Sequence, residues 1–207
     1  MIVLDFIERM KPIGVFSRAD IEVIYKELDP RRLYEWQLKG YILKLRNSWY
    51  CLPDFLKEPY STWIIANTVH APSYISLESA LSFYGILPEG VYTCTSVCTT
   101  RTLRINMAGH EYEFSRLREK HYKGYRLEDT GSRGRRLRIA CPEKAVADFF
   151  YLRTFYNSED EIRNLRFDES SLDGGLDRDR LYSYTELYGT AALERRIKIL
   201  LKLLDHA

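Results

Sequence analysis

Basic and amide side chains are concentrated in residues 31–46 of this 207-residue chain. The segment holds five Lys or Arg residues against one Glu, whereas the whole chain has a formal net charge of only +2. Guanidinium and amide groups can hydrogen-bond to base edges or to phosphates. The segment therefore predicts contact with duplex DNA, through the side chains of Arg31, Arg32, Tyr34, Glu35, Gln37, Lys39, Lys44, Arg46 and Asn47.

Carboxylates and one lysine give a weaker indication of catalysis. Glu111 and Glu113 on one strand, with Glu143 and Lys144 further along, could form a metal-dependent nuclease site. Each has a simpler explanation, since the first two fall on the polar face of a strand and Glu143 suits the positive end of a new helix. No common phosphate-binding, zinc-protease or hydrolase motif is present. We therefore predict no enzyme and no cofactor, and we keep a metal-dependent nucleic-acid-processing enzyme as the alternative.

The four cysteines do not indicate a metal centre. Cys94 and Cys98, with His110 and His121, could in principle bind zinc, but their spacing matches no common zinc pattern. Cys94 and Cys98 share one face of a predicted strand, where small buried thiols belong. We predict no metal.

Three helices and a hairpin are expected to position the basic segment. Residues 3, 6, 7 and 10 recur at helical spacing. Ser17 and Asp20 form a capping box for a second helix, with Ile21, Ile24, Tyr25 and Leu28 as its buried stripe. Asp29 and Pro30 begin a third helix that ends at Gly40. Alternating residues around Arg46-Asn47-Ser48 predict a hairpin, which makes residues 1–55 a winged helix-turn-helix domain.

The third helix should bury one side and present the other. Leu33, Trp36 and Gly40 fall on the side that packs against the first two helices. Leu38 fits this division poorly and is expected near the hairpin. A winged helix that contacts protein, with its basic residues merely solvated, is the alternative to DNA binding.

Residues 56–207 are expected to form a larger mixed α/β domain with a small sheet and C-terminal helices, so the fold class is α+β. A linker at 54–58 leads to helices near 59–70 and 77–84, the second capped by Ser76. Strands are predicted at 92–98, 103–107, 112–114, 122–127 and 137–140. Helices follow at 142–152, 160–165 and 181–204, with Asp173-Gly174-Gly175 as a flexible stretch.

A second basic surface is predicted within residues 101–140, which hold eleven Lys or Arg against five acids. Such a surface could bind DNA backbone, RNA or an acidic partner, and a solvated sheet face explains it equally well. Its residues are Arg101, Arg104, Arg116, Arg118, Lys120, Lys123, Arg133, Arg135 and Arg136.

Membrane insertion and secretion are not indicated. The sequence has no apolar run of about 18 residues and no basic stretch with a small-residue cleavage site. We expect a soluble, cytoplasmic protein with no membrane partner.

Residues 73–89, which read Ser-Tyr-Ile-Ser-Leu-Glu-Ser-Ala-Leu-Ser-Phe-Tyr-Gly-Ile-Leu-Pro-Glu, resemble the AbiEi family. This family is the antitoxin component of type IV toxin-antitoxin (abortive infection, phage defence) systems. The similarity continues through residues 91–95, 122–125, 139–149 and 162–167. With the predicted winged helix it covers nearly the whole chain.

The resemblance implies two roles for the protein. The winged helix would bind inverted repeats in its own promoter and repress transcription. The larger domain would counteract a nucleotidyltransferase toxin encoded next to it, without needing a stable complex. A stand-alone transcriptional regulator is the alternative if no such toxin exists.

Overall fold

The computed structural model describes residues 3–26, 29–131 and 135–205. Helices and strands are mixed along the chain, with a three-stranded sheet near the N-terminus and a six-stranded sheet after it. This confirms the expected mixture of α and β structure. None of the described helices is long and apolar enough to cross a membrane.

Residues 3–52, apart from 27 and 28, are called the N-terminal unit here. Its elements are α1 (Val3–Met10), β1 (Val15–Ser17), α2 (Arg18–Ile24), α3 (Pro30–Leu38), β2 (Leu43–Arg46) and β3 (Trp49–Cys51). The three strands are antiparallel in the order β1-β3-β2. The hairpin of β2 and β3 was predicted, whereas β1 was not, since three residues are too few to show an alternating pattern.

Local capping fixes where α2 and α3 begin. Ser17 and Asp20 form the predicted capping box, and the Asp29 carboxylate accepts the backbone N–H of Arg31 while Pro30 occupies the first helical position. The buried stripe predicted for α2 is wrong in part. The helix ends at Ile24, which is 38% exposed, and only Ile21 is buried. Leu28 lies outside the described residues.

A small hydrophobic core holds the N-terminal unit together. It lies between α1, α2, α3 and the sheet, and its buried members are Phe6, Met10, Phe16, Ile21, Leu33, Trp36, Ile42, Tyr50 and Leu52. The Phe6 ring lies 4.5 Å from Trp36 and 5.8 Å from Phe16 between centroids. Three aromatic side chains therefore form its centre.

The rest of the chain begins with a 3-10 helix, Pro53–Lys57, where a linker was expected. Its helices are α4 (Ser61–Val69), α5 (Leu77–Phe83), α6 (Pro142–Leu152), α7 (Glu159–Arg163), α8 (Glu169–Gly175), α9 (Arg178–Tyr188) and α10 (Ala191–Leu204). Its strands are β4 (Ser73–Ile75), β5 (Cys94–Cys98), β6 (Leu103–Met107), β7 (His110–Arg116), β8 (Tyr125–Asp129) and β9 (Arg136–Ala140). We call residues 53–205, apart from 132–134, the C-terminal unit.

The six-stranded sheet has the order β6-β7-β5-β4-β9-β8. The pairs β5/β7 and β4/β9 are parallel and the other three pairs are antiparallel. A second and larger hydrophobic core packs the sheet against helices, with Tyr74, Tyr112 and Phe114 fully buried. Val15, Leu45 and Cys51 of the N-terminal unit belong to this larger core, so the two units share packing.

Three features of the C-terminal unit differ from expectation. The helix expected over 181–204 is two helices, α9 and α10, because Gly189 adopts a left-handed conformation with φ of 63° and ends the first. Residues 73–75 form a buried central strand, whereas only a helix start was predicted nearby. The Gly174-Gly175 pair lies at the end of α8 and not in a flexible stretch. Packing explains why α8 forms. Leu172 is buried in the larger core, and this burial offsets the low helix propensity of the two glycines.

Candidate nucleic-acid interface

Helix α3 has one buried face and one exposed face, as predicted, but Gly40 is not part of the buried face. The helix ends at Leu38, and Gly40 lies exposed after it. Leu33 and Trp36 are buried in the small core. Tyr34 is 63% exposed and Leu38 is 71% exposed, on the side that also carries Arg31. Leu38, which fitted the predicted division poorly, lies on the exposed face. The outer face of α3 thus combines a guanidinium with two large side chains held in solvent.

The basic residues in the first turn of α3 are exposed to solvent. The Asp29 cap holds the backbone of Arg31 at 2.9 Å, and Arg31 and Arg32 then stand exposed in the first turn. Glu35 and Lys39 are also exposed. Gln37 is engaged within the helix, because its amide nitrogen donates to the Leu33 carbonyl at 3.0 Å. Of the predicted DNA-binding residues on α3, Gln37 is therefore the least available to a ligand.

The β2–β3 hairpin stands next to α3 along the chain and ends in an exposed turn. Asn47 adopts a left-handed conformation with φ of 51°, which asparagine tolerates better than most residues. The Ser48 carbonyl accepts the backbone N–H of Arg18 at 2.8 Å, so the turn is tied to the start of α2. Lys44 and Asn47 are exposed there.

Arg46 connects the hairpin to the C-terminal unit. Its guanidinium lies 3.3 Å from His70 Nδ1, and His70 Nε2 lies 3.0 Å from the Thr100 hydroxyl. The guanidinium must donate, so Nδ1 accepts and Nε2 carries the proton. This arrangement requires neutral His70. The ring also packs 4.4 Å from Phe114, between centroids.

Burial lowers the pKa of His70. A hydrogen bond with the Arg101 backbone opposes this, and the charges of Arg46 and Arg101 add to the lowering of the pKa. A histidine whose folded pKa is below its unfolded value of about 6.5 contributes stability above that value and loses it as the pH falls toward the folded pKa. We expect the free energy of unfolding to fall on acidification below about pH 6.5, and to fall less in His70→Gln. Denaturant unfolding across this pH range measures the difference.

His110→Gln, at an exposed histidine in β7, controls for the loss of a histidine as such. His121 also has a pKa lowered by burial, so it adds its own acid sensitivity. An unchanged pH slope in His70→Gln would contradict the assigned protonation state.

The predicted second basic surface is divided by the sheet. Arg101 lies beside His70, and the backbone N–H of Arg116 donates to the Thr102 hydroxyl at 3.2 Å. Arg101 and Arg46 of the hairpin therefore lie beside the same histidine. Arg104 instead lies 3.8 Å and 4.0 Å from the Glu111 and Glu113 carboxylates.

The remaining members of that surface are dispersed. Arg118, Lys120 and Lys123 are exposed after β7, whereas Arg136 lies on β9 toward the other edge of the sheet. Arg133 lies outside the described residues. These side chains are close in sequence because consecutive strands follow one another, yet the strand order separates them in space.

Arg135 joins the two units and is not on a binding surface. Its side chain is only 12% exposed, donates to the Glu58 carboxylate at 2.7 Å and to the Pro12 carbonyl at 2.9 Å, and lies over the Phe55 ring. A Cβ on Gly14 would approach this guanidinium to 2.7 Å. Gly14 thus leaves the space that Arg135 fills.

The residues considered for a nuclease make separate contacts. Glu113 pairs with Arg153 at 2.8 Å, and Glu143 lies 3.8 Å from Arg180. Lys144 is fully buried against Asp148 and Tyr188. No group of three or more potential metal ligands occurs among the described residues. Glu111 lies 3.8 Å from Arg104. All four residues thus have ionic or hydrogen-bonded partners within the fold.

A buried polar cluster around Asp148 was not predicted. Its carboxylate accepts hydrogen bonds from Lys144, Tyr188, Tyr74 and Ser76, the last two at 2.9 Å and 2.7 Å. Ser76 was predicted to cap α5, but its hydroxyl donates to Asp148 instead. The signal in the sequence was Lys144 and Asp148 at i, i+4 in a helix whose other residues after Lys144 are apolar or aromatic.

Comparison with protein-family models and with curated proteins found no match to this chain. The functional interpretation therefore depends on the residues and geometry described above.

Proposed function

We propose that this protein binds duplex DNA through a winged helix formed by the N-terminal unit. The order of three helices and a three-stranded antiparallel sheet suits this fold, with α3 as the recognition helix and β2–β3 as the wing. The observation that carries the proposal is the exposed face of α3, where Arg31 stands beside Tyr34 and Leu38. A nine-residue helix is about 13 Å long, a length that fits the major groove.

The chemistry of this face suits base edges. Arginine can donate two hydrogen bonds to guanine, and Glu35 can accept from cytosine. Tyr34 and Leu38 expose apolar surface that contact with thymine methyl groups would cover.

The wing supports the proposal through charge. Arg46 and Arg101 both lie close to the neutral His70 ring. Like charges gathered in this way repel one another, and a phosphate group would relieve the repulsion. The DNA backbone is the extended polyanion that could contact the wing and this edge of the sheet together.

Replacing Arg31 with Ala should weaken binding to the DNA upstream of the chain's own gene by about 1–3 kcal/mol. Fluorescence anisotropy with labelled duplexes measures this change. A lost base contact should relax sequence preference at one position, whereas a lost phosphate contact should weaken all duplexes alike and reduce the salt slope by about 1.

Arg163→Ala is the matched control, because it removes an exposed arginine from α7 in the C-terminal unit. Equal affinity of the wild type and Arg31→Ala for every duplex would remove α3 from the interface. The winged helix would then be assigned to protein contact.

We also propose the second role, antitoxicity toward a nucleotidyltransferase toxin, for the C-terminal unit. It is supported by the resemblance of residues 73–89 to the AbiEi family. These residues form β4, α5 and the segment after them, and they contribute Tyr74 and Ser76 to the buried Asp148 cluster. Autorepression by the N-terminal unit would accompany this role, and the two units would divide the work.

A further inference from the structure

Strand β8 forms one edge of the six-stranded sheet and is exposed along its length. Four of its five residues are exposed, and the fifth, Glu128, is half-buried. Leu127 is 56% exposed and Tyr125 is 39% exposed. An open edge with apolar side chains is a template for pairing with another strand.

The direction of the backbone groups on β8 follows from two hydrogen bonds at its ends. Thr130 N–H donates to the Arg135 carbonyl, and Cys141 N–H donates to the Gly124 carbonyl. Residues 124 and 130 therefore face β9, and the alternation of an antiparallel pair extends this to 126 and 128. Tyr125, Leu127 and Asp129 must then point their N–H and C=O groups toward the open edge.

The side chains of β8 are complementary to a second copy of the same strand. If two β8 strands pair antiparallel about Leu127, then Arg126 of each stands opposite Glu128 of the other. These positions form the non-hydrogen-bonded pair, in which side chains approach most closely. Leu127 meets Leu127, and Tyr125 meets Asp129.

The existing contacts of these charges do not prevent such pairing. Arg126 lies 3.0 Å from Glu128 of the same strand, with side chains 51% and 35% exposed, and over the Tyr84 ring. An exposed pair of this kind contributes little stability by itself. In a paired arrangement the four charges would alternate in sign.

We propose that two copies of this chain associate through antiparallel pairing of their β8 strands about a twofold axis at Leu127. The two sheets would become one continuous sheet, and the interface would be isologous. Because a five-residue strand buries less than a standard interface, we expect a weak dimer with a Kd on the order of 10–100 µM. The proposal does not depend on DNA binding.

Sedimentation velocity of the full chain tests this inference. The weight-average mass should rise from 24.5 kDa toward twice that value with concentration. Glu128→Arg places only positive charges at positions 126 and 128, and Arg126→Glu places only negative ones. Each variant alone should remain monomeric, while an equimolar mixture should dimerise, because the strands are then complementary to each other.

Two further variants keep the test independent of folding. The double variant R126E/E128R restores self-complementarity and should dimerise like the wild type. Leu127→Pro removes only an N–H that points to the open edge, a place where strands accept proline, and should abolish the dimer. Circular dichroism and thermal melting confirm that each variant is folded.

A chain that stays monomeric up to about 1 mM overturns the proposal. A dimer that survives both Glu128→Arg and Leu127→Pro overturns it as well, since the contact must then lie elsewhere. Loss of the dimer in both charge variants without recovery on mixing overturns the register about Leu127.

Discussion

Asp148→Asn should lower the free energy of unfolding by about 3–5 kcal/mol, because it leaves Lys144 buried without its counter-charge. Both side chains are fully buried in α6, so water cannot replace the lost partner. The asparagine amide keeps the size of the carboxylate and can still accept hydroxyl hydrogen bonds. The expected loss therefore reports mainly the uncompensated lysine, and denaturant unfolding measures it.

Lys144→Met in the same chain separates charge from packing. The double variant K144M/D148N contains no buried charge and keeps an acceptor for Tyr74 and Ser76, so it should recover a large part of the stability lost in Asp148→Asn. Ser76→Ala removes one donor and should cost about 1 kcal/mol. Additive losses in the double variant would show that the two charges do not stabilise each other.

The expected effect explains why Lys144 is structural here. A lysine in a helix that begins Pro-Glu-Lys could serve chemistry if it faced a cleft, and sequence alone does not show which way it faces. In the fold, the ammonium donates to Asp148 and Tyr188 and lies 4.8 Å from the Tyr188 ring centroid. Tyr188 comes from α9, 44 residues later. No pattern within α6 predicts that Tyr188 is a partner of Lys144.

The sequence predicted correctly the features that depend on interactions between residues close together in the chain. The caps at Ser17 and Asp29, the proline that begins α6 and the turn at Ala108-Gly109 each satisfy backbone groups within a few residues. The helices and hairpins they start were placed correctly within a few residues. The parallel pairs β5/β7 and β4/β9 depend on contacts between distant segments, so the sequence pattern did not reveal the sheet order.

In the candidate site too, the features fixed by local sequence were predicted and the contacts between distant segments were not. The exposed face of α3 follows from the 3.6-residue period, because burial of Leu33 and Trp36 fixes where Arg31 points. The contact of Arg46 with His70 joins two units and could not be read from either segment. The count of basic residues over 101–140 was a poor guide to a common surface. Arg101 lies beside His70, Arg135 contacts the N-terminal unit, and Arg104 pairs with glutamates.

Trp36→Ala should unfold the N-terminal unit and leave the C-terminal unit folded. Removing a buried tryptophan costs about 3–5 kcal/mol, and a core of nine buried residues has little stability to lose. Trp49 in β3 and Trp63 in α4 remain as fluorescent reporters. Trp49 belongs to the N-terminal unit by its strand and packs against the larger core, so it reports the boundary between the two units. We expect Trp49 to report an earlier transition in denaturant than Trp63, whereas both move together in the wild type.

The same variant separates the two proposed roles. DNA binding should be lost with the N-terminal unit, while survival of cells that produce the neighbouring nucleotidyltransferase toxin should still improve if antitoxicity resides in the C-terminal unit. Trp36→Phe, which keeps an aromatic ring against Phe6, is the conservative control and should retain both roles. Loss of both roles with a single lowered transition would mean that Val15, Leu45 and Cys51 couple the two cores into one folding unit. If the variant loses DNA binding, and neither the variant nor the wild type protects cells from the toxin, then the protein is a stand-alone regulator.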